Sequence, residues 1–210
     1  MLEYRIQKAL LSGSQSPAGI FLLHGYGSHA DDLFSFAPYL PKNHTIIALQ
    51  APLNFAPYSY AWYPLQTDKK GNITSSIEEA WQAVQLIIEN INELIKIHDL
   101  NAEDISLLGF SQGAILSWAI AYQQAIKIRR IMALSGLVHE SINTQQPPEF
   151  LAYASHGVQD PVIPILSARE SIIPLSEKYS TISYNEFNDG HTVSRENFQQ
   201  LLEWIEKTNL

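Results

Sequence analysis

The sequence predicts an α/β fold in which a mostly parallel central sheet carries helices on both faces. Two observations predict it. Short continuous apolar runs recur along the chain, as in strands buried on both faces. Longer segments with helical spacing lie between them, and that alternation is how strand–helix units build a parallel sheet.

Taken in order, Tyr4 to Leu10 reads as an extra edge strand. Gly19–Leu23 is the first apolar run and stops at His24-Gly25-Tyr26-Gly27; Thr45–Leu49 is the next and ends at Gln50-Ala51-Pro52. Ile105–Phe110, Ile131–Leu134, Phe150–Ala154 and Ser183–Phe187 complete the strand set. The segment Ser76 to His98 carries Ile77, Ala80, Trp81, Val84, Ile87, Ile88, Ile91, Leu94 and Ile95 on one helical stripe. Ser76 followed by Glu79 is a capping box that fixes its start. Gln112 to Gln124, Ile165 to Tyr179 and Arg195 to Lys207 are further helices. One stretch, Gln50 to Thr74, fits neither type. It holds Pro52, Pro57 and Pro64 among Phe55, Tyr58, Tyr60, Trp62 and Tyr63, and reads as a long loop of the kind that serves function.

Composition narrows the classes. A chain of 210 residues is expected to form one domain, residues 1–210. With 46% hydrophobic and 16% charged residues it is ordinary globular sequence, which argues against disorder. A formal charge of −8 repels phosphate backbones, so nucleic acid is not an expected partner. Cysteine is absent, which removes disulfides, thiolate nucleophiles and cysteine-based metal sites. Met1 to Gln15 has no apolar core of a signal peptide, and no run approaches the roughly 18 apolar residues of a membrane span. The expected location is cytoplasmic.

Gly109-Phe110-Ser111-Gln112-Gly113 is the one G-x-S-x-G match in the chain. The pattern serves a nucleophile on a very sharp strand-to-helix turn, where flanking side chains would block the backbone. Here it follows an apolar run and precedes a helix, which is the context the motif requires. A serine hydroxyl needs a base, and in such folds the order is Ser, acid, His. Three histidines lie downstream: His139, His156 and His191. His191 sits in a polar loop after the last strand and is the candidate base; His156, before Gly157, supports a turn. Asp160 and Asp189 compete as the acid. Asp160 is favoured because it comes from a separate strand-end loop, whereas Asp189 lies two positions before His191 and turns that loop through its side chain. An oxyanion would be met by backbone N–H groups of Gln112 and of Tyr26 in the glycine-relaxed loop after the first apolar run.

Together these residues resemble the phospholipase/carboxylesterase family of small α/β-hydrolases, which includes acyl-protein thioesterases and bacterial carboxylesterases. The likeness spans nearly the whole chain. It rests on Leu23-His24-Gly25-Tyr26-Gly27, Gly109–Gly113 with its Gln112, His156-Gly157 through Asp160-Pro161-Val162-Ile163-Pro164, and Gly190-His191. The resemblance implies hydrolysis of carboxylic esters or thioesters without metal or organic cofactor, on a compact sheet with no large cap. Two positions depart from the family pattern: Tyr26 stands where Leu is common, and Trp62-Tyr63-Pro64 lacks the usual acid.

The leading expectation is a serine carboxylesterase for short- to medium-chain acyl groups, with Phe55, Trp62 and Tyr63 walling the substrate pocket. Acyl-protein thioesterase or lysophospholipase activity would use the same machinery with a longer channel. A non-catalytic binding protein on a hydrolase scaffold is the alternative from another class, and such proteins usually lose a triad member. A metal site is not expected, because His24 and His29 lie in a loop without H-E-x-x-H context. The sequence fixes neither the leaving group nor the oligomeric state, and leaves a homodimer open.

Overall fold

The computed structural model describes residues 1–10, 16–67 and 73–208. The end of the N-terminal segment (11–15) and part of the proline- and aromatic-rich stretch (68–72) lie outside the described residues. The apolar runs appear as strands β1 (Tyr4–Gln7), β2 (Ala18–Leu23) and β3 (His44–Leu49). The stretch expected as one loop instead folds into two small hairpins, β4 (Leu53–Ala56) with β5 (Ser59–Ala61) and β6 (Leu65–Thr67) with β7 (Ile73–Ser75). Its prolines sit at the hairpins' borders and turn rather than inside their ladders, where a missing N–H is tolerated. Then follow β8 (Ile105–Phe110), β9 (Arg130–Leu134), β10 (Leu151–Gly157) and β11 (Ile182–Phe187).

Helices α1 (Ala30–Phe34), α2 (Ile77–Ile97), α3 (Gln112–Gln123), α4 (Ile165–Lys178) and α5 (Arg195–Thr208) join them. The start of α2 falls where expected, with the Glu79 N–H donating to Ser76 Oγ at 3.3 Å. The short α1 was not visible in the sequence, and β1 ends at Gln7 rather than Leu10.

The main sheet has seven strands in the order β1-β3-β2-β8-β9-β10-β11. Only β1 runs antiparallel, against β3; every other pairing is parallel. Two apolar layers sandwich the sheet. On one face Val84, Ile87 and Ile91 of α2, Leu116 and Trp118 of α3 and Ile172 of α4 pack against Phe21, Ile47 and Leu107. On the other, Leu33 of α1 and Leu201 and Ile205 of α5 pack against Ile20, Ile46 and Leu108. Burial of these side chains at roughly 25 cal/mol per Å² is the main driving force for the sandwich.

The strand order creates the site. From β2 the chain moves outward to β3, while from β8 it moves the other way to β9, so β2 and β8 flank a topological switch point. Loops leaving the carboxyl ends of two such strands diverge and open a crevice between them. The loop after β2 is His24–Gly27 and the turn after β8 is Ser111.

Candidate active site

Ser111 occupies a backbone conformation that other residues avoid, φ 54° and ψ −116°. The turn is held by the Ser111 N–H donating to Leu134 O at 2.9 Å on neighbouring β9. Its glycines are required by close approach rather than by flexibility. A methyl on Gly109 would lie 2.2 Å from Gly113 O, and one on Gly113 would lie 1.9 Å from Leu23 O. Strain of this kind persists only where surrounding structure imposes it, and it clusters at functional sites. Ser111 also makes no cap to its own helix, so its hydroxyl is left free to point elsewhere.

It points to His191. Ser111 Oγ lies 2.9 Å from His191 Nε2, and His191 Nδ1 lies 2.6 Å from Asp160 Oδ2. A carboxylate only accepts, so Nδ1 carries the ring proton and Nε2 accepts the serine hydroxyl. Asp160 Oδ1 accepts the backbone N–H groups of Val162 and Ile163 at 2.8 and 2.9 Å. The residues come from three turns at one end of the sheet, after β8, β10 and β11. Phe110 packs under the His191 ring with centroids 5.0 Å apart, and the Ser135 hydroxyl donates to Thr192 O at 3.3 Å, steadying the loop that carries it.

The other titratable candidates lie apart from this series or brace it. His139 is engaged with Ser141 in its own turn. Asp189 acts through its backbone, its carbonyl accepting the Gln159 N–H at 2.9 Å, rather than through the side-chain turn expected from sequence. His156 is fully buried; its Nε2 lies 2.9 Å from Ile163 O and 3.3 Å from Asp160 Oδ2. A carbonyl needs a donor, so Nε2–H donates to Ile163 O and braces the aspartate loop.

The backbone of Gly25 runs directly beside the serine, for a methyl there would lie 3.2 Å from Ser111 Cβ. Among the described residues, the N–H groups of Tyr26 and Gln112 meet no protein acceptor. The Gln112 side chain is spent on the aromatic segment: the Trp62 N–H donates to its Oε1 at 2.9 Å, and its Nε2 donates to Tyr63 O at 2.9 Å. Trp62 is 3% exposed, its indole N–H donating to His24 O at 2.9 Å. Tyr63 is buried too, its phenol pushed up to about 12 by burial, and it lines a narrow apolar cleft of about 30 Å³ with Trp81, Ile115 and Ile142. Phe55 behaves differently: it is half exposed on β4 and stacks on the Tyr26 ring, centroids 5.1 Å apart.

No group of three or more His, Asp or Glu among the described residues is placed to hold a metal ion. No helix there is long and apolar enough to cross a membrane.

An elbow serine at the switch point of this sheet defines a serine hydrolase with the α/β-hydrolase fold. The family model described as phospholipase/carboxylesterase matches residues 9–209. The chain therefore belongs to the phospholipase/carboxylesterase family, whose members hydrolyse esters or thioesters. It is similar to acyl-protein thioesterase 1 of Kluyveromyces lactis, with 27% identity over 90% of this chain and 90% of that protein. Among solved structures it resembles esterase PE8 (TM-score 0.86, 22% identity, 99% of each chain covered). It also resembles the carboxylesterase of Bacillus cereus (TM-score 0.82, 16% identity, covering 99% of this chain and 95% of that one).

Proposed function

We propose that this enzyme is a serine carboxylesterase for short- to medium-chain acyl groups, working through an acyl-enzyme on Ser111. The observation that carries the reading is the series Ser111 Oγ–His191–Asp160, joined at 2.9 and 2.6 Å on a strained elbow. His191 Nε2 takes the hydroxyl proton as Oγ attacks the ester carbonyl, and Asp160 holds the ring and balances its positive charge. The carbonyl oxygen becomes an oxyanion between the N–H groups of Tyr26 and Gln112, each worth on the order of 3 kcal/mol. His191 then returns the proton to the leaving alcohol. Water repeats the cycle on the acyl-enzyme and frees the acid. No cofactor is required.

Phe55 with Tyr26 forms the exposed aromatic wall for the acyl group, and Tyr63 closes the inner side. Trp62, being buried, acts on substrate through the loops it holds. The test is a p-nitrophenyl ester series of graded chain length with wild type and Ser111→Ala, together with mass detection of a fluorophosphonate adduct. We expect activity to fall at least ~10³-fold in the variant and the adduct to sit on Ser111. Unchanged activity in Ser111→Ala would remove Ser111 as the nucleophile.

A second reading, protein deacylation, is favoured by the likeness to acyl-protein thioesterases at 27% identity. Release of fatty acid from an S-acylated peptide, with preference for long chains, would replace the first reading with this one. Lysophospholipid hydrolysis is separated from both by offering a lysophospholipid as substrate.

A further inference from the structure

His24 closes β2, is 1% exposed, and takes no part in the chemistry above. Its ring is fully engaged. Nδ1 lies 2.8 Å from Gly25 O, and Nε2 faces the Ala51 N–H at 3.1 Å and Gln50 Nε2 at 3.2 Å. Two of these partners leave no choice: a backbone N–H only donates, and a carbonyl only accepts. Nε2 is therefore the bare nitrogen and Nδ1–H donates to Gly25 O. Gln50 is oriented in turn by the Ala30 N–H on its Oε1 at 3.0 Å, which leaves its amide N–H for His24. Burial pushes the imidazole down to about 4, so this neutral form persists through ordinary working conditions.

The carbonyl that His24 holds belongs to the same peptide unit as the Tyr26 N–H. In a trans peptide the C=O and N–H point in opposite directions, and the chain contains no cis bond among the described residues. Fixing Gly25 O against the ring inside the molecule thus turns the Tyr26 N–H outward, on the backbone that passes beside Ser111. The turn agrees: Ser28 N–H also donates to Gly25 O at 3.3 Å, and Gly27 at φ 79° supplies the left-handed position a type II turn requires. Among the described residues, the Tyr26 N–H is left without a protein partner.

We infer that His24 is a positioning residue for the oxyanion site, its Nδ1–H clamping the Gly25–Tyr26 peptide so that the Tyr26 N–H faces the developing charge. This rests on the proposed role of Ser111 and Tyr26. The second donor is tied into the same assembly, since Trp62 bonds His24 O with its indole and Gln112 Oε1 with its backbone N–H.

The test compares His24→Asn, His24→Leu and His24→Gln. An asparagine amide sits near the Nδ1 position and can keep the bond to Gly25 O; leucine has no donor, and the glutamine amide falls near Nε2. With a p-nitrophenyl ester, Leu and Gln should lower kcat by about 10–100-fold with KM within about threefold, a fraction of the loss for deleting an oxyanion donor outright. An alkyl trifluoromethyl ketone, which forms a tetrahedral adduct on the serine, should weaken by the same factor as kcat. Asn should recover most of both. Loss confined to KM, unchanged kcat in the Leu and Gln variants, or Asn no better than Gln would overturn the inference. If the Leu variant does not fold, the Asn and Gln comparison decides alone. A wild-type protein lacking a fluorophosphonate adduct on Ser111 would instead overturn the reading on which the inference rests.

Discussion

At the scale of single residues, Asp160 collects three donors, two backbone N–H groups on Oδ1 and His191 Nδ1–H on Oδ2, with His156 Nε2 3.3 Å from Oδ2. An amide cannot replace it. Asparagine facing the two N–H groups with its oxygen would turn its NH₂ toward His191, forcing the ring proton onto Nε2, where Ser111 needs an acceptor. Asp160→Asn should therefore lower kcat by about 10³–10⁴-fold while melting close to wild type, measured with the same ester and a thermal scan. The candidate residues Ser111, Asp160 and His191 were legible because a motif and a chain order announce them. That His156 supports a turn was legible too, but the atom it holds was not, nor was the clamp by His24. Their partners are backbone atoms, Ile163 O and Gly25 O, and no side-chain pattern encodes where a carbonyl points.

At the scale of elements, the elbow joins β8 to α3 with no spare room. Gly113→Ala would set a methyl against Leu23 O, on a central strand that cannot yield. Overpacking of this kind costs about 1–3 kcal/mol, so Tm should drop on the order of 5 °C. Displacement of the Gln112 N–H should lower kcat as well; a thermal melt and one kinetic assay check both. The strands of the main sheet were readable because double burial writes unbroken apolar runs, as in β3, where every residue is buried. The two hairpins were not readable. All four residues of β4 are exposed, so no inward–outward alternation marks them, and nearby prolines argue for loop. Helix α1 has five residues, too few for its period to register.

At the scale of the whole molecule, two buried histidines set how stability responds to acid. His24 and His44 are both pushed down to about 4, chiefly by burial. His44 Nε2 accepts from Arg130 Nη2 at 3.1 Å, in a cluster where Arg130 also pairs with Asp104 at 2.8 Å. Both rings are neutral in the folded chain and take up protons near 6.5 once unfolded. The unfolded state thus binds more protons between these values. The stabilisation is complete above about 6.5 and is lost as pH falls toward 4, at about 3 kcal/mol for each histidine. Urea midpoints measured from pH 7.5 to 4 should fall through that window, and His44→Gln should make the slope shallower.

The residues of the proposed triad do not share one degree of protection. Ser111 follows β8 in the middle of the sheet, whereas His191 rides on the turn after β11, which closes the strand order and pairs with β10 alone. Peeling an outer strand costs less than global unfolding. Each such excursion would carry the base away and leave the nucleophile in place, silent but intact. On the proposed triad, opening at the rim would silence the enzyme without unfolding its core, so stabilising the core alone would not protect the base.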